Sequence, residues 1–92
     1  MVIMDFDGAD HRLAAIGRQL KKNLNDWEAW AAKADILCSL EMYNVAVECS
    51  EISLMLNPDN ALTWYTKGIA LSKLGRTAEA DAAFTKAKEL GY

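Results

Sequence analysis

The feature that most constrains the fold is an internal repeat, because residues 27–58 align with residues 61–92 at an offset of 34 positions. Six of these 32 aligned positions are identical, and they follow one another at helical spacings such as three, four and seven. The identical pairs are Trp30 with Trp64, Lys33 with Lys67, Leu37 with Leu71, Leu40 with Leu74, Ala46 with Ala80 and Leu56 with Leu90. A fixed period of this length indicates stacked units that share one continuous core.

Each unit contains two apolar stripes with the periodicity of an amphipathic α-helix. In the first unit the stripes begin at Trp30 and Val45, and a proline, Pro58, stops the second helix. The sequence is rich in alanine and leucine and predicts an all-α fold. The predicted helices cover residues 10–23, 27–41, 44–57, 61–74 and 78–90.

A chain of 92 residues has the length of one small domain. The sequence predicts a flexible lead-in over residues 1–9, followed by one domain over residues 10–92. That domain comprises a helix at 10–23, a repeat at 27–60 and a repeat at 61–92. Arg12 and Gln19 occupy repeat positions where small residues are expected, so the first helix is interpreted as a half-repeat or cap.

Composition and charge exclude several function classes. No apolar run approaches the roughly 20 residues that span a bilayer, and the net charge of −3 disfavours nucleic acid. Residues 27–60 carry a net charge of −5, whereas residues 61–92 carry +2. Two cysteines, Cys38 and Cys49, are too few for a disulfide scaffold and suit a reducing compartment, so a cytoplasmic location is expected.

The 34-residue unit resembles the tetratricopeptide repeat, particularly in its prokaryotic form. The resemblance rests on a tryptophan at the fourth position, small residues at the eighth and twentieth, and a closing proline. These are Trp30 and Trp64, Ala34 and Gly68, Ala46 and Ala80, and Pro58. It implies an α-solenoid of antiparallel helix hairpins, and a non-catalytic module that binds a protein or peptide partner.

The resemblance also implies a peptide groove on the inner face of the first helix of each unit. Carried over residue by residue, the groove consists of Glu28, Ala31, Ala32, Asp35, Leu62, Tyr65, Thr66, Ile69 and Lys73. Chaperone-binding members use a lysine and asparagines on this face, and these residue types are missing from the matching positions, which are Ala31, Ala32, Asp35, Tyr65, Thr66 and Ile69. A ligand with a basic residue near Glu28 and Asp35, and an apolar residue against Tyr65 and Ile69, is expected to bind best.

Self-association is the alternative function. The last predicted helix carries Ala80, Phe84, Ala87 and Leu90, which is more apolar surface than one hairpin partner is expected to cover. Terminal repeats normally carry a polar capping helix, and none follows residue 90. Two copies that meet about a twofold axis would form a homodimer with Phe84 near its centre.

Catalysis is the remaining alternative. The first nine residues resemble the nucleophile motif of haloacid dehalogenase-type phosphatases, in which Asp5 and Asp7 would act as nucleophile and acid–base. That chemistry also needs a magnesium-binding acidic pair and a parallel sheet, which a helical chain does not offer. His11 is the only histidine, so neither a zinc site nor a histidine-based triad is expected. No cofactor and no metal are predicted.

Overall fold

Five α-helices account for most of residues 8–92, the part of the chain that the computed structural model describes. The helices are α1 (Ala9–Lys22), α2 (Trp27–Ser39), α3 (Tyr43–Leu56), α4 (Ala61–Lys73) and α5 (Thr77–Glu89). Each observed helix end lies within two residues of its predicted position. The all-α fold class is confirmed.

The helices form two antiparallel hairpins, α2 with α3 and α4 with α5, that stack through a contact between α3 and α4. α1 packs on α2 as the second helix of an incomplete preceding unit. α2 also contacts α4 directly, so the first helices of the two hairpins lie side by side. This arrangement is the expected α-solenoid, and it makes α2 and α4 the inner layer.

The core between the hairpins is built largely from small side chains, which let the helix axes approach closely. Its buried members are Ala34, Leu37, Ala46, Val47, Cys49, Ala70, Leu71, Ala80 and Ala83. A second cluster joins Ile16 and Leu20 of α1 to Ala29 and Ile36 of α2. Arg12 and Gln19 point outward, so α1 presents a polar face on its other side, as the cap interpretation requires.

The repeated tryptophans tie each hairpin to the loop that precedes it. The indole Nε1–H of Trp30 donates to the carbonyl oxygen of Leu24 at 2.9 Å, and that of Trp64 donates to Pro58 at 2.8 Å. The ammonium groups of Lys33 and Lys67 lie 5.4 and 5.3 Å from the centres of these two rings. Both rings are half-buried, and each combines apolar packing with a hydrogen bond that fixes where the repeat begins.

The two hairpin turns have the same backbone geometry but different residues. α2 ends in a Schellman motif, in which Glu41 N–H donates to Cys38 and Met42 N–H donates to Leu37. Its left-handed position is Glu41, with φ of 62°, whereas the equivalent position after α4 is Gly75, with φ of 79°. A residue with a Cβ is strained there by about 1–2 kcal/mol, so the first turn departs from the repeat at an energetic cost.

At one pair of facing positions, the two hairpins also differ in the sizes of their side chains. In the second hairpin, a Cβ added to Gly68 would lie 2.6 Å from Cε1 of Phe84, so the ring occupies the space that the glycine leaves. In the first hairpin, the equivalent positions are Ala34 and Ser50, both completely buried. A larger residue on one helix is therefore matched by a smaller one on its partner, and the same hairpin accommodates both pairs.

The tryptophan contacts predict a graded loss of stability. We expect Trp64→Ala to lower the free energy of unfolding by about 3–5 kcal/mol, through lost burial and a cavity. Trp64→Phe keeps most of the ring and removes the hydrogen bond to Pro58, so about 1–2 kcal/mol is expected. Thermal and urea melts followed by circular dichroism measure both. A Trp64→Phe variant as stable as the wild type would show that the hydrogen bond contributes nothing, whereas equal losses for the two variants would show that burial of the ring contributes nothing.

The Gly68–Phe84 pair predicts non-additive substitutions. Gly68→Ala gains about 1 kcal/mol of helix propensity but places a methyl group against the Phe84 ring, which costs about 1–3 kcal/mol. In a Phe84→Leu background the clash is relieved, and the same substitution should become neutral or stabilising. Urea melts of the four proteins in this double-mutant cycle give the coupling energy. Additive effects would show that residues 68 and 84 are not coupled through their packing.

Candidate functional site

A small pocket opens on the inner face, between α2 and α4. Its volume is about 140 Å³, and the residues that line it are Ala31, Ala32, Asp35, Asn60, Leu62, Thr63 and Thr66. Five of the nine predicted groove residues therefore meet at one place, although they come from two different repeats. The direct contact of α2 with α4 brings them together.

The pocket has an apolar interior and a polar rim. Thr63 and Thr66 are 2% and 7% exposed, so both belong to the wall between the helices. Thr66, one of the predicted groove residues, therefore contributes to the wall of the pocket, with its side chain buried where α4 meets α2. Leu62 is 59% exposed and Asp35 is also exposed, so these two side chains stand at the opening.

The electrostatic character of the inner face of α2 is acidic. Glu28 and Asp35 are exposed and seven residues apart, which places them on the same side of the helix. The ion pairs within residues 8–92 join Lys67 to Glu51 and Arg76 to Glu79, so neither of these two carboxylates is paired there.

The cysteines contribute no reactive group to this site. Burial, together with the nearby Asp35 carboxylate, raises the pKa of the Cys38 thiol. Burial also raises the pKa of Cys49, with Lys33 opposing the rise and Glu48 adding to it. Both thiols are free and protonated at neutral pH, and Cys38 Sγ donates a long hydrogen bond to the Thr66 carbonyl at 3.9 Å.

Tyr65 lies in a separate aromatic cluster, on the side of α4 that faces α5. Its ring stacks on Tyr92, with 4.4 Å between ring centres and 18° between planes, and meets Phe84 at 5.4 Å. Together with Lys88, these rings line a second pocket of about 420 Å³. The predicted groove is therefore divided into two pockets, and Glu28, Ile69 and Lys73 lie outside both.

Tyr92 is the residue of this second pocket that the sequence interpretation missed. The signal for it was present in Gly91, which follows α5 as Gly75 follows α4. Gly91 has φ of 101°, and the Tyr92 N–H donates to Ala87 in a third Schellman motif. The motif turns the chain back toward α4, and the Tyr92 ring reaches Tyr65 as a result.

The predicted self-association surface on α5 needs correction. Ala80 and Ala87 are 2% and 1% exposed, because they pack inside their own hairpin, and they offer no surface to another copy. Phe84 and Leu90 are half-buried, and the Phe84 ring is already in contact with Tyr65 and close to Gly68.

The outward face of α5 also differs in charge from the equivalent face of α3. Val47 and Leu54 of α3 are buried, Val47 within the core cluster that includes Ala70 and Leu54 beside Trp64 of the stacked α4. One period later these positions are Asp81 and Lys88, both exposed. At these two positions α5 is charged, whereas α3 is apolar.

The described residues show no centre for metal chemistry. Within residues 8–92, no group of three or more His, Cys, Asp or Glu side chains could hold a metal ion. Asp5 and Asp7 of the phosphatase-like motif lie outside the described residues. Among the helices that the structure describes, none has the length and apolar character needed to cross a bilayer.

Comparisons with known proteins agree with this fold. The tetratricopeptide repeat family model matches residues 61–90, which is the second repeat. Among solved structures, the crystal structure of MamA matches with a TM-score of 0.85 and 23% sequence identity, over 91% of this chain and 49% of MamA. The chain thus spans about half the length of MamA. A search of curated proteins gave no significant match.

These observations define the class of protein. Five helices in stacked antiparallel hairpins form an all-α solenoid, and the second hairpin matches the tetratricopeptide repeat family. The family model leaves out the first hairpin, where Glu41, Ser50 and Ser53 replace residues of the second that are closer to the family pattern. Proteins of this class generally bind protein partners.

The charges on α5 predict the behaviour of the chain in solution. We expect the 92-residue protein to run as a 10.2 kDa species in size-exclusion chromatography with light scattering, at all concentrations tested. Asp81→Val combined with Lys88→Leu restores the apolar character that α3 has, and this variant should associate as concentration rises. Glu48→Val with Lys73→Leu, which changes exposed charges elsewhere, is the matched control.

Self-association of the wild-type chain would be the opposite outcome, and substitutions on α5 and at Tyr92 test for it. A wild-type dimer that Phe84→Glu converts to monomer would establish the self-association alternative. Because Phe84 packs close to Gly68, Tyr92→Glu serves as a second variant that leaves the hairpin core intact.

Proposed function

We propose that this chain is a non-catalytic protein interaction module that binds a peptide segment along the inner face of α2 and α4. The observation that carries the proposal is the pocket between the two helices. It joins Ala31, Ala32 and Asp35 of one repeat to Leu62 and Thr66 of the next. A ligand that fills it touches both repeats at once.

The surface around the pocket has the composition of a site for an extended chain. Leu62 offers exposed apolar area beside the opening, and the Asp35 carboxylate offers a fixed negative charge. A few polar groups around an apolar cavity set the orientation of a bound segment, while the apolar walls supply most of the affinity. The aromatic pocket at Tyr65 and Tyr92 adds a second apolar surface, between α4 and α5.

The nature of the partner follows from charge. An acidic inner face repels phosphate groups, so we propose a protein segment and no nucleic acid. The free cysteines are consistent with a reducing environment, and a cytoplasmic location is therefore part of the proposal.

Self-association through α5 ranks second. The partly exposed aromatic cluster of Tyr65, Phe84 and Tyr92 is the feature that favours it. Asp81 and Lys88 oppose it, because a second copy would have to bury or pair both charges. Among the described residues that line the pocket of α2 and α4, Asp35 is the one charged residue that an occupant has to pair.

The proposed function predicts that binding depends on Leu62. A library of random eight-residue peptides displayed on phage is selected on the folded wild-type chain, and enriched peptides are synthesised and titrated by calorimetry. We expect Leu62→Ser to weaken their binding about tenfold, since most of a leucine side chain's apolar contact is worth about 1.5 kcal/mol. Met55→Ser on α3, which also replaces an exposed apolar residue, is the control and should leave binding unchanged.

A different dependence would contradict the groove. If no peptide is enriched, or if Met55→Ser weakens binding as much as Leu62→Ser, the inner face of α2 and α4 is not the binding surface.

A further inference from the structure

The pocket between α2 and α4 is shaped for one slender side chain. Its volume of about 140 Å³ is one third of the 420 Å³ beside Tyr65, and its wall is made of short side chains. The methyl groups of Ala31, Ala32 and Thr66 leave a narrow space that suits an unbranched hydrocarbon chain rather than an aromatic ring.

The negative charge at the opening of the pocket determines which unbranched side chains can bind there. Asp35 is the only ionisable residue in the lining, and no described residue forms an ion pair with it. Glu28 lies two turns away on the same side of α2 and adds negative charge. A purely apolar occupant would remove water from the Asp35 carboxylate without replacing it, and an acidic occupant would be repelled.

The nearby cations are engaged elsewhere. The Lys33 ammonium lies over the Trp30 ring, and Lys67 lies between the Trp64 ring and Glu51, 3.5 Å from its carboxylate. Neither lysine lines the pocket, so the Asp35 carboxylate is available to a cation from outside the chain.

We propose that this pocket takes a lysine side chain of the bound segment, with its alkyl stem between Ala32 and Leu62 and its ammonium on the Asp35 carboxylate. The proposal rests on the function proposed above and names the residue that the site selects. Lysine fits better than arginine because its charge is a compact ammonium on a flexible stem. The guanidinium is a rigid planar group that needs a wider opening.

The test uses the peptides enriched by the folded wild-type chain. Each is compared with a version in which the lysine is replaced by norleucine, which keeps the hydrocarbon stem and removes the ammonium. We expect norleucine to weaken binding to the wild type about fivefold to tenfold, and the difference to shrink as salt is raised. On Asp35→Asn the lysine and norleucine peptides should bind equally. Glu48→Gln, which removes an exposed carboxylate on α3, is the matched control and should preserve the difference.

The outcomes separate this inference from the proposed function. Peptides that lack lysine, yet lose affinity on Leu62→Ser, would overturn the lysine pocket and leave groove binding in place. Peptides in which arginine binds as well as lysine would overturn the shape argument. Absence of any enriched peptide would overturn both proposals. Both residues are exposed, so we expect Asp35→Asn and Leu62→Ser to leave the core intact. Circular dichroism melts of the two variants check that they are folded.

Discussion

The hydrogen bond from each repeat tryptophan to the loop before it is the interaction on which the solenoid depends. The indole of Trp30 reaches the Leu24 carbonyl and that of Trp64 reaches Pro58, in the same register one period apart. Each bond fixes the start of a hairpin relative to the helix that precedes it. Because a solenoid is held together by contacts between neighbours, the angle set at these loops determines how α2 and α4 lie beside each other. The inner-face pocket exists only because of that alignment.

Packing within each hairpin tolerates a change in the size of one side chain when the facing side chain changes in the opposite direction. Gly68 with Phe84 and Ala34 with Ser50 fill equivalent spaces with different atoms. In the first hairpin, the serine that stands in place of Phe84 has its hydroxyl buried without a hydrogen-bond partner; this residue is Ser50. The neighbouring Ser53 hydroxyl, by contrast, donates to the Trp27 carbonyl at 2.9 Å. The first hairpin therefore carries an unsatisfied polar group, together with the left-handed Glu41, and its divergence from the family pattern has a physical cost.

The outward faces of α1 and α5, at the two ends of the described helices, both carry polar or charged side chains. Arg12 and Gln19 on α1, and Asp81 and Lys88 on α5, occupy positions whose counterparts on α3 are buried. Charged and polar residues on an outward helix face make stacking on it unfavourable, since they would have to be dehydrated. On the inner face, by contrast, the Asp35 carboxylate stands beside apolar walls.

The sequence by itself determined the helices, the 34-residue period and the order of the hairpins, because apolar periodicity, Pro58 and Gly75 act over a few residues along the chain. The resemblance to the tetratricopeptide repeat, together with the register, indicated which residues share the inner face of α2 and α4. Only the tertiary structure decided that Thr66 is buried, that Ala80 and Ala87 are enclosed, and that Tyr92 covers Tyr65. These depend on the distance and angle between packed helices, which no local pattern specifies. The Gly91 turn could be recognised from its likeness to Gly75, but the contact of the Tyr92 ring with Tyr65 could not. The groove could thus be assigned to a face from sequence, whereas its division into two pockets followed from packing.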